Sequence, residues 1–320
     1  MIKKLIVLFI IVFCIGCASN NNGTNKFSYE NDTLEVPIDS SSSKETDNFF
    51  VFDINTNIFV GNSLESLEIL EVNGSKTAIS SNGKVVSYVV EQPQPSSIFL
   101  YNIKEKDNKL LNIPTNYVAS NPVFSAENNL LAFTITDFYG LSSAALYDLK
   151  KDTFKIISKG QSSVFNPTFS PEGGKIAFHN MENVFLMTVS GFSTKVYKTI
   201  GCENFCPENY MGIAQNCKFQ LSEKYNFILY TYNNYADTVI SSVILAKYDL
   251  QTGQTQDLSP KNSFCTDFQI SQNNQIYFLL RKNADKESES KLYVRDIELE
   301  KNMLLSERGL DSPCSFSVSY

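Results

Sequence analysis

The chain has 320 residues, of which 42% are apolar and 19% charged, with a formal net charge of −7. That is enough for one large domain or two ordinary ones with a true core, and it excludes disorder along the whole length. The acid excess argues against nucleic acid as a partner, because phosphate binding needs a basic face. A single histidine and no tryptophan disfavour histidine-based catalysis, histidine-rich metal sites and the commonest sugar-stacking platform.

Lys3 and Lys4 precede an apolar run of 11 residues, Leu5 to Ile15. A bilayer-spanning helix needs about 20, so the run has the length of a signal-peptide core. It ends in Phe13-Cys14-Ile15-Gly16-Cys17, which looks like a bacterial lipobox with Cys14 in the place usually held by leucine. That resemblance implies a lipoprotein signal peptide over 1–16, diacylglycerol on Cys17, and a lipid-anchored protein of the cell envelope, periplasmic or surface-facing. Processing would leave 25 basic against 34 acidic residues. Such a body is not drawn to anionic headgroups, so membrane attachment rests on the lipid of Cys17, at ~0.8 kcal/mol per buried CH₂. Residues 17–48 read as lipidated cysteine and flexible tether: Asn20-Asn21-Asn22-Gly23 and Ser40-Ser41-Ser42-Ser43 bury too little apolar surface to offset ordering entropy. A coil of ~30 residues spans roughly 30 Å.

From residue 49 to 320 the chain repeats. Asn166-Pro167-Thr168-Phe169-Ser170-Pro171-Glu172-Gly173-Gly174-Lys175-Ile176-Ala177-Phe178 matches Asn121-Pro122-Val123-Phe124-Ser125 through Phe133, and looser copies surround Ser80, Gln220 and Ser271. Successive steps between these positions are 45, 45, 50 and 51 residues. Each unit reads as strand, tight turn, apolar strand, loop, strand, turn, strand, with Gly, Asn and Pro where the turns need them. The second strands, such as Val85-Val86-Ser87-Tyr88-Val89-Val90, do not alternate, as befits a strand packed between two sheets. A four-stranded unit of ~40–50 residues is the signature of a β-propeller blade. Five units fill about residues 75–308. The segment 311–320 supplies a first strand, and Phe49–Asp53, Ile58–Val60 and Leu67–Leu70 supply second, third and fourth strands. The expected fold is therefore all-β, a six-bladed β-propeller whose last blade is closed by the C-terminal strand with N-terminal strands, leaving no edge exposed.

The segment Phe169-Ser170-Pro171-Glu172-Gly173-Gly174-Lys175-Ile176-Ala177-Phe178 resembles the repeat of TolB-like six-bladed propellers, with Glu172 where that family usually carries Asp. The resemblance implies an envelope binding module and transfers no particular partner.

No Gly-x-Ser-x-Gly elbow occurs and no residues follow the repeats for a hydrolase domain. His179, at the end of a second strand, reads as a residue near the surface or between blades. A propeller glycosidase would use paired carboxylates across the channel, but no spacing singles out a pair. Five cysteines remain after Cys14 and Cys17: Cys202, Cys206, Cys217, Cys265 and Cys314. The last three fall on or beside innermost strands, where cysteine packs as a small apolar residue. A disulfide from Cys202 to Cys206 or Cys217 would pin the longest inter-blade loop, and export would permit it. No metal and no cofactor is expected.

The reading is of a non-catalytic, lipid-anchored propeller that binds another cell-envelope protein or envelope component. The alternatives are an envelope enzyme acting on glycan or peptide through channel carboxylates, or a small-ligand sensor. The binding surface is expected where long loops emerge, between second and third strands and between blades. Candidates are Asp137, Phe138 and Tyr139, then Tyr210, then Asn234, Tyr235 and Asp237.

Overall fold

The computed structural model describes residues 48–91, 95–161, 163–205, 217–236, 239–282, 289–305, 309–310 and 315–319. In chain order its strands are β1 (Phe50–Ile54), β2 (Asn57–Gly61), β3 (Glu68–Asn73), β4 (Ser75–Ile79), β5 (Val85–Val90), β6 (Ser97–Asn102), β7 (Asp107–Leu110), β8 (Tyr117–Phe124), β9 (Leu130–Asp137), β10 (Ser142–Asp148), β11 (Thr153–Ile156) and β12 (Phe165–Phe169). They continue as β13 (Lys175–His179), β14 (Asn183–Ser190), β15 (Ser193–Gly201), β16 (Phe219–Ser222), β17 (Phe227–Ala236), β18 (Val239–Asp249), β19 (Thr255–Asp257), β20 (Phe264–Ile270), β21 (Gln275–Arg281), β22 (Lys291–Asp296), β23 (Lys301–Leu304) and β24 (Ser315–Val318). Among the described residues the only helical turns are two of 3₁₀ type, Leu64–Ser66 and Cys202–Asn204, and no helix is long and apolar enough to cross a membrane.

The sheets follow the repeats. β4 to β7, β8 to β11 and β12 to β15 each form an antiparallel four-stranded sheet, and β24 joins β1 to give the order β24-β1-β2-β3. In that last sheet Phe50 lies opposite Val318 and Phe52 opposite Phe316. The strands β16 to β19 and β20 to β23 form two further meanders, linked by one parallel bridge between Val243 and Phe264.

The core sits between neighbouring sheets. On β9, Leu131, Phe133 and Ile135 pack toward the preceding sheet with Ala78, Val89 and Ile98. Leu130 and Ala132 of the same strand pack toward the following sheet with Phe169, Ile176 and Phe178. This double burial is why the second strands lack alternation, and each large side chain so buried contributes roughly 1.5–3 kcal/mol. The pattern includes the two chain ends. Phe50, Phe52, Phe316 and Val318 pack on Tyr277 and Leu279 of β21, while Val51 and Ile58 pack on Ile79 and Val86 of β4 and β5.

The turn from first to second strand is the same device in four of the repeats. Ser80, Ser125, Ser170 and Ser271 each donate a backbone N–H to the first residue of the next strand. In the fourth unit the equivalent residue is Ser222, not Gln220: Leu221 lies opposite Ile228 and Ser222 opposite Phe227, and Tyr225 N donates to Ser222 Oγ at 3.4 Å. The longer connection before β16 hides this two-residue offset in a spacing count.

Candidate functional site

Six strands, β4, β8, β12, β16, β20 and β24, contribute to the walls of one cavity of about 290 Å³. Four of them carry a β-bulge at the same level, between Ser75 and Ala78, Ser120 and Val123, Phe165 and Thr168, and Cys265 and Asp267. In three of the bulges one residue is left-handed: Lys76, Asn121 and Asn166, with φ of 52°, 52° and 50°. Asparagine tolerates this region better than other L-residues because its short side chain bonds locally. A bulge re-aims side chains, and here the bulged residues Lys76, Asn121, Asn166 and Thr266 all line the cavity.

Side-chain amides and hydroxyls then stitch five of the six junctions between neighbouring strands. Asn121 Nδ2 donates to Asn166 Oδ1 at 2.5 Å, and Asn166 Nδ2 to the Cys217 carbonyl at 2.7 Å. Ile270 N donates to Gln220 Oε1 at 2.7 Å. Val318 N and Ser317 Oγ donate to Gln269 Oε1 at 2.9 and 3.0 Å. Thr77 N donates to Ser315 Oγ at 2.8 Å. These partners lie between 45 and 238 residues apart in sequence.

Charge in the cavity is sparse. Lys218 Nζ lies 3.2 Å from Asp267 Oδ1, donates to the Phe268 carbonyl at 2.6 Å and sits over the Phe268 ring. Asp267 also accepts the N–H groups of Phe268 and Phe316, at 2.8 and 3.0 Å. Lys76 turns its ammonium to Glu91, 3.6 Å away. Behind the wall, the carboxylate of Asp53 accepts the N–H groups of Lys76 and Ser315. Burial raises its pKa, against the lowering effect of its hydrogen bonds to Ser315 and Lys76. The Thr266 hydroxyl is buried with no hydrogen-bond partner among the described residues. No group of three His, Cys, Asp or Glu side chains among those residues could hold a metal ion.

His179 lies between sheets. It is fully buried, with Nε2 2.9 Å from the Cys217 carbonyl and its ring near Phe165 and Phe219. Burial pulls its pKa down to about 4, against the raising effect of the bond to Cys217, so the ring is neutral at pH 7. Cys202 and Cys217 are buried in one apolar cluster with Phe205, Phe219 and Tyr230. Cys265 is buried in the neighbouring cluster, where burial pushes its thiol pKa up. Cys17, Cys206, Tyr210, Asp237 and Cys314 lie outside the described residues.

Asp137 ends β9, opposite Tyr117 of β8, while Phe138 and Tyr139 form the turn between β9 and the third strand β10. Asp137 Oδ1 accepts the N–H groups of Tyr139 and Leu141, both at 2.9 Å, and Gly140 N donates to the Asp137 carbonyl. The turn is therefore closed on itself, with Phe138 77% and Tyr139 76% exposed and their ring centroids 3.8 Å apart. Asn234 and Tyr235 differ from expectation: they belong to β17, not to a loop. The hairpin with β18 continues through Asn233↔Val243 and Asn234↔Ser242, then a bulge, then Tyr235↔Ile240. The Thr, Tyr, Val and Ile residues flanking the asparagines favour an extended pair, which the polar tip does not interrupt. The hairpin exposes Val239 and Ile240, and the β13–β14 connection exposes Met181. Met181 lies in the segment Asn180-Met181-Glu182-Asn183, which the sequence reading also places among the long loops; Leu141, Val239 and Ile240 carry no such signal, because exposure of an apolar residue is not visible in spacing.

No protein-family model matches the chain, and no curated protein matches it in sequence. Its fold, however, matches solved β-propellers. The crystal structure of TolB from Acinetobacter baumannii superposes with a TM-score of 0.59 at 14% identity, over 85% of this chain and 66% of that one. A TolB structure from Agrobacterium tumefaciens gives 0.55 at 10% identity, over 83% and 90%. A chain of a nidogen–laminin complex gives 0.54 at 9% identity, over 85% and 98%. At these identities the likeness concerns fold alone, a β-propeller fold shared with both TolB structures and with the chain of the nidogen–laminin complex.

Proposed function

We propose that this chain is a six-bladed propeller, anchored in the cell envelope through lipid on Cys17, that binds another envelope protein without catalysing a reaction. Support for six blades and for closure comes from the packing of both chain ends between β21 on one side and β4–β5 on the other. The six first strands among the cavity's lining support the same count. Support for envelope anchoring is the signal-like run and the lipobox-like cysteine.

The observation that carries the binding reading is the set of exposed apolar side chains where second strands turn into third strands, on the connections themselves or on the adjoining hairpin tip. They lie on three consecutive sheets, at Phe138, Tyr139, Leu141, Met181, Val239 and Ile240. Rigid scaffolds carry binding groups on such connections, and exposed apolar side chains that form a contiguous patch mark interaction sites. The cavity chemistry also favours binding over two-carboxylate catalysis. Among the described residues its only carboxylate is Asp267, already held by Lys218 and two backbone N–H groups. One of the similar propellers was solved in a complex with laminin, a precedent for protein binding by this architecture.

A partner recovered from the organism's own envelope provides the test. Tyr139→Ala with Tyr235→Ala should weaken its binding, while Lys104→Ala with Lys150→Ala, on the opposite turns, should leave it unchanged. The reverse pattern would reject the loop side as the binding face. A second reading, a small polar ligand in the cavity, is favoured by the unpartnered Thr266 hydroxyl.

A further inference from the structure

The cavity carries a belt of polar groups with hydrogen-bonding capacity to spare and its charges already paired. Counted back from the serines at 80, 125, 170, 222, 271 and 319, the fourth residue on or just before each first strand is Lys76, Asn121, Asn166, Lys218, Asp267 and Ser315, and all six line the cavity. Lys218 uses two of its three N–H groups on Asp267 and the Phe268 carbonyl. Asp267 accepts Lys218 and Phe268 N through Oδ1 and Phe316 N through Oδ2, so one N–H and one oxygen lone pair remain on the pair. Asn121 gives one N–H to Asn166 and keeps its carbonyl oxygen and second N–H. Thr231 of β17 adds to the lining a hydroxyl that makes no hydrogen bond among the described residues. The charges, by contrast, are matched: Lys218 lies 3.2 Å from Asp267, and Lys76 3.6 Å from Glu91.

We infer that the cavity is a site for a small uncharged polyhydroxyl compound, about the size of a single sugar-like ring. The inference rests on the small-ligand reading above and adds the chemistry of the ligand and the groups that hold it. A charged ligand would lose its hydration and meet no group free to neutralise it. A hydroxyl both donates and accepts, which matches the remaining N–H and lone pair of the Lys218–Asp267 pair and the amide of Asn121. At ~30 Å³ per water, a cavity of about 290 Å³ holds roughly ten waters, enough for one ring with its hydroxyls and too little for a chain of rings. The groups are set in advance, because the bulges aim them and cross-strand bonds fix them, so little ordering remains to oppose binding. The Lys218 ammonium covers the Phe268 ring and leaves that face closed to stacking. Hydrogen bonds alone then hold the ligand, and each is modest against water, so the expected affinity is millimolar.

Saturation-transfer NMR titrations on the full chain in detergent test this with glucose, galactose, mannose and myo-inositol. Glucuronate and glucosamine, the latter protonated at mildly acidic pH, are the anionic and cationic counterparts. At least one neutral compound is expected to bind, and both charged ones about tenfold more weakly or not at all. Asn121→Gly, which keeps the left-handed backbone available, should weaken neutral binding about threefold to tenfold. Unbalancing the charges gives a readout that a merely structural role would not move: Lys218→Met should shift the preference to glucosamine, and Asp267→Asn to glucuronate. Thermal unfolding checks that each variant is folded; should Lys218→Met fail to fold, Asp267→Asn and Asn121→Gly decide. Neutral binding left unchanged by Asn121→Gly and by the charge variants overturns the site. Charged compounds that bind the native chain more tightly than the neutral ones overturn the uncharged class and leave the small-ligand reading standing. Silence from every probe overturns that reading as well.

Discussion

The carboxylate of Asp53 on β1 accepts the backbone N–H of Lys76 at 2.5 Å, tying the first strand of the body to the bulge in β4. Its other oxygen accepts Ser315 N on β24. One side chain thus satisfies two donors from strands that no ladder joins. Thr134 of β9 serves the bulge of β12 in a similar way, accepting Asn166 N at 3.0 Å. Asp53→Ala would leave both N–H groups unsatisfied in a buried place, at roughly 1–3 kcal/mol each. The expected loss is about 2–4 kcal/mol, read as a lower denaturant midpoint at unchanged slope. Asp53→Asn, which keeps one acceptor oxygen, should fall between it and the native chain.

Closure makes a separate prediction. Phe316 stacks on Phe52 at 5.5 Å between ring centroids and is 2% exposed. Phe316→Ala should cost about 3–5 kcal/mol, the range for a buried aromatic. Deleting 315–320 should do more, because it strips β1 of its ladder partner and bares a strand edge. Aggregation or loss of a cooperative transition is expected; a truncated chain with an unaltered melting curve would contradict a closed ring.

The blades were legible because each is local: strand, turn and strand lie within ~50 residues, and turn chemistry marks the joints. The pairing of 311–320 with 49–53 was legible for a related reason, as two incomplete units that together make one. Spacing failed where a connection changed length, which is why Gln220 stood in for Ser222. Composition failed at Asn233–Ala236, where polar residues suggested a loop although the cross-strand neighbours were good strand formers. The amide belt around the cavity could be read only in its repeated Asn-Pro pairs. Its bonds join residues 45 or more apart, and they depend on the register and bulges of several sheets at once.

Anchoring is tested at Cys17. Cys17→Ser should prevent diacylglycerol transfer, leaving the chain unprocessed or released in soluble form. Membrane fractionation with a size comparison distinguishes these outcomes. A mature-sized Cys17→Ser chain still sedimenting with membranes would exclude lipid on Cys17 as the anchor.

His179 makes stability depend on pH in a window of its own. In the folded chain burial holds its pKa near 4, whereas in the unfolded chain it returns to about 6.5. Above pH 6.5 both states carry the neutral ring, and the contribution of burying it is intact. As pH falls from 6.5 toward 4 only the unfolded chain takes up the proton, so stability declines, by up to roughly 3 kcal/mol at the bottom of the window. Asp148 and Asp249, whose pKa values are lowered chiefly by the N–H groups of Lys151 and Thr252, lose their contributions only below the usual carboxylate range. The two effects are therefore separable along the pH axis. His179→Gln, which retains a donor for the Cys217 carbonyl and does not titrate, should flatten the slope between pH 6.5 and 4 and leave the decline below it. Denaturant midpoints at half-unit pH steps for both chains measure this, and parallel slopes in the upper window would assign the titration to another group.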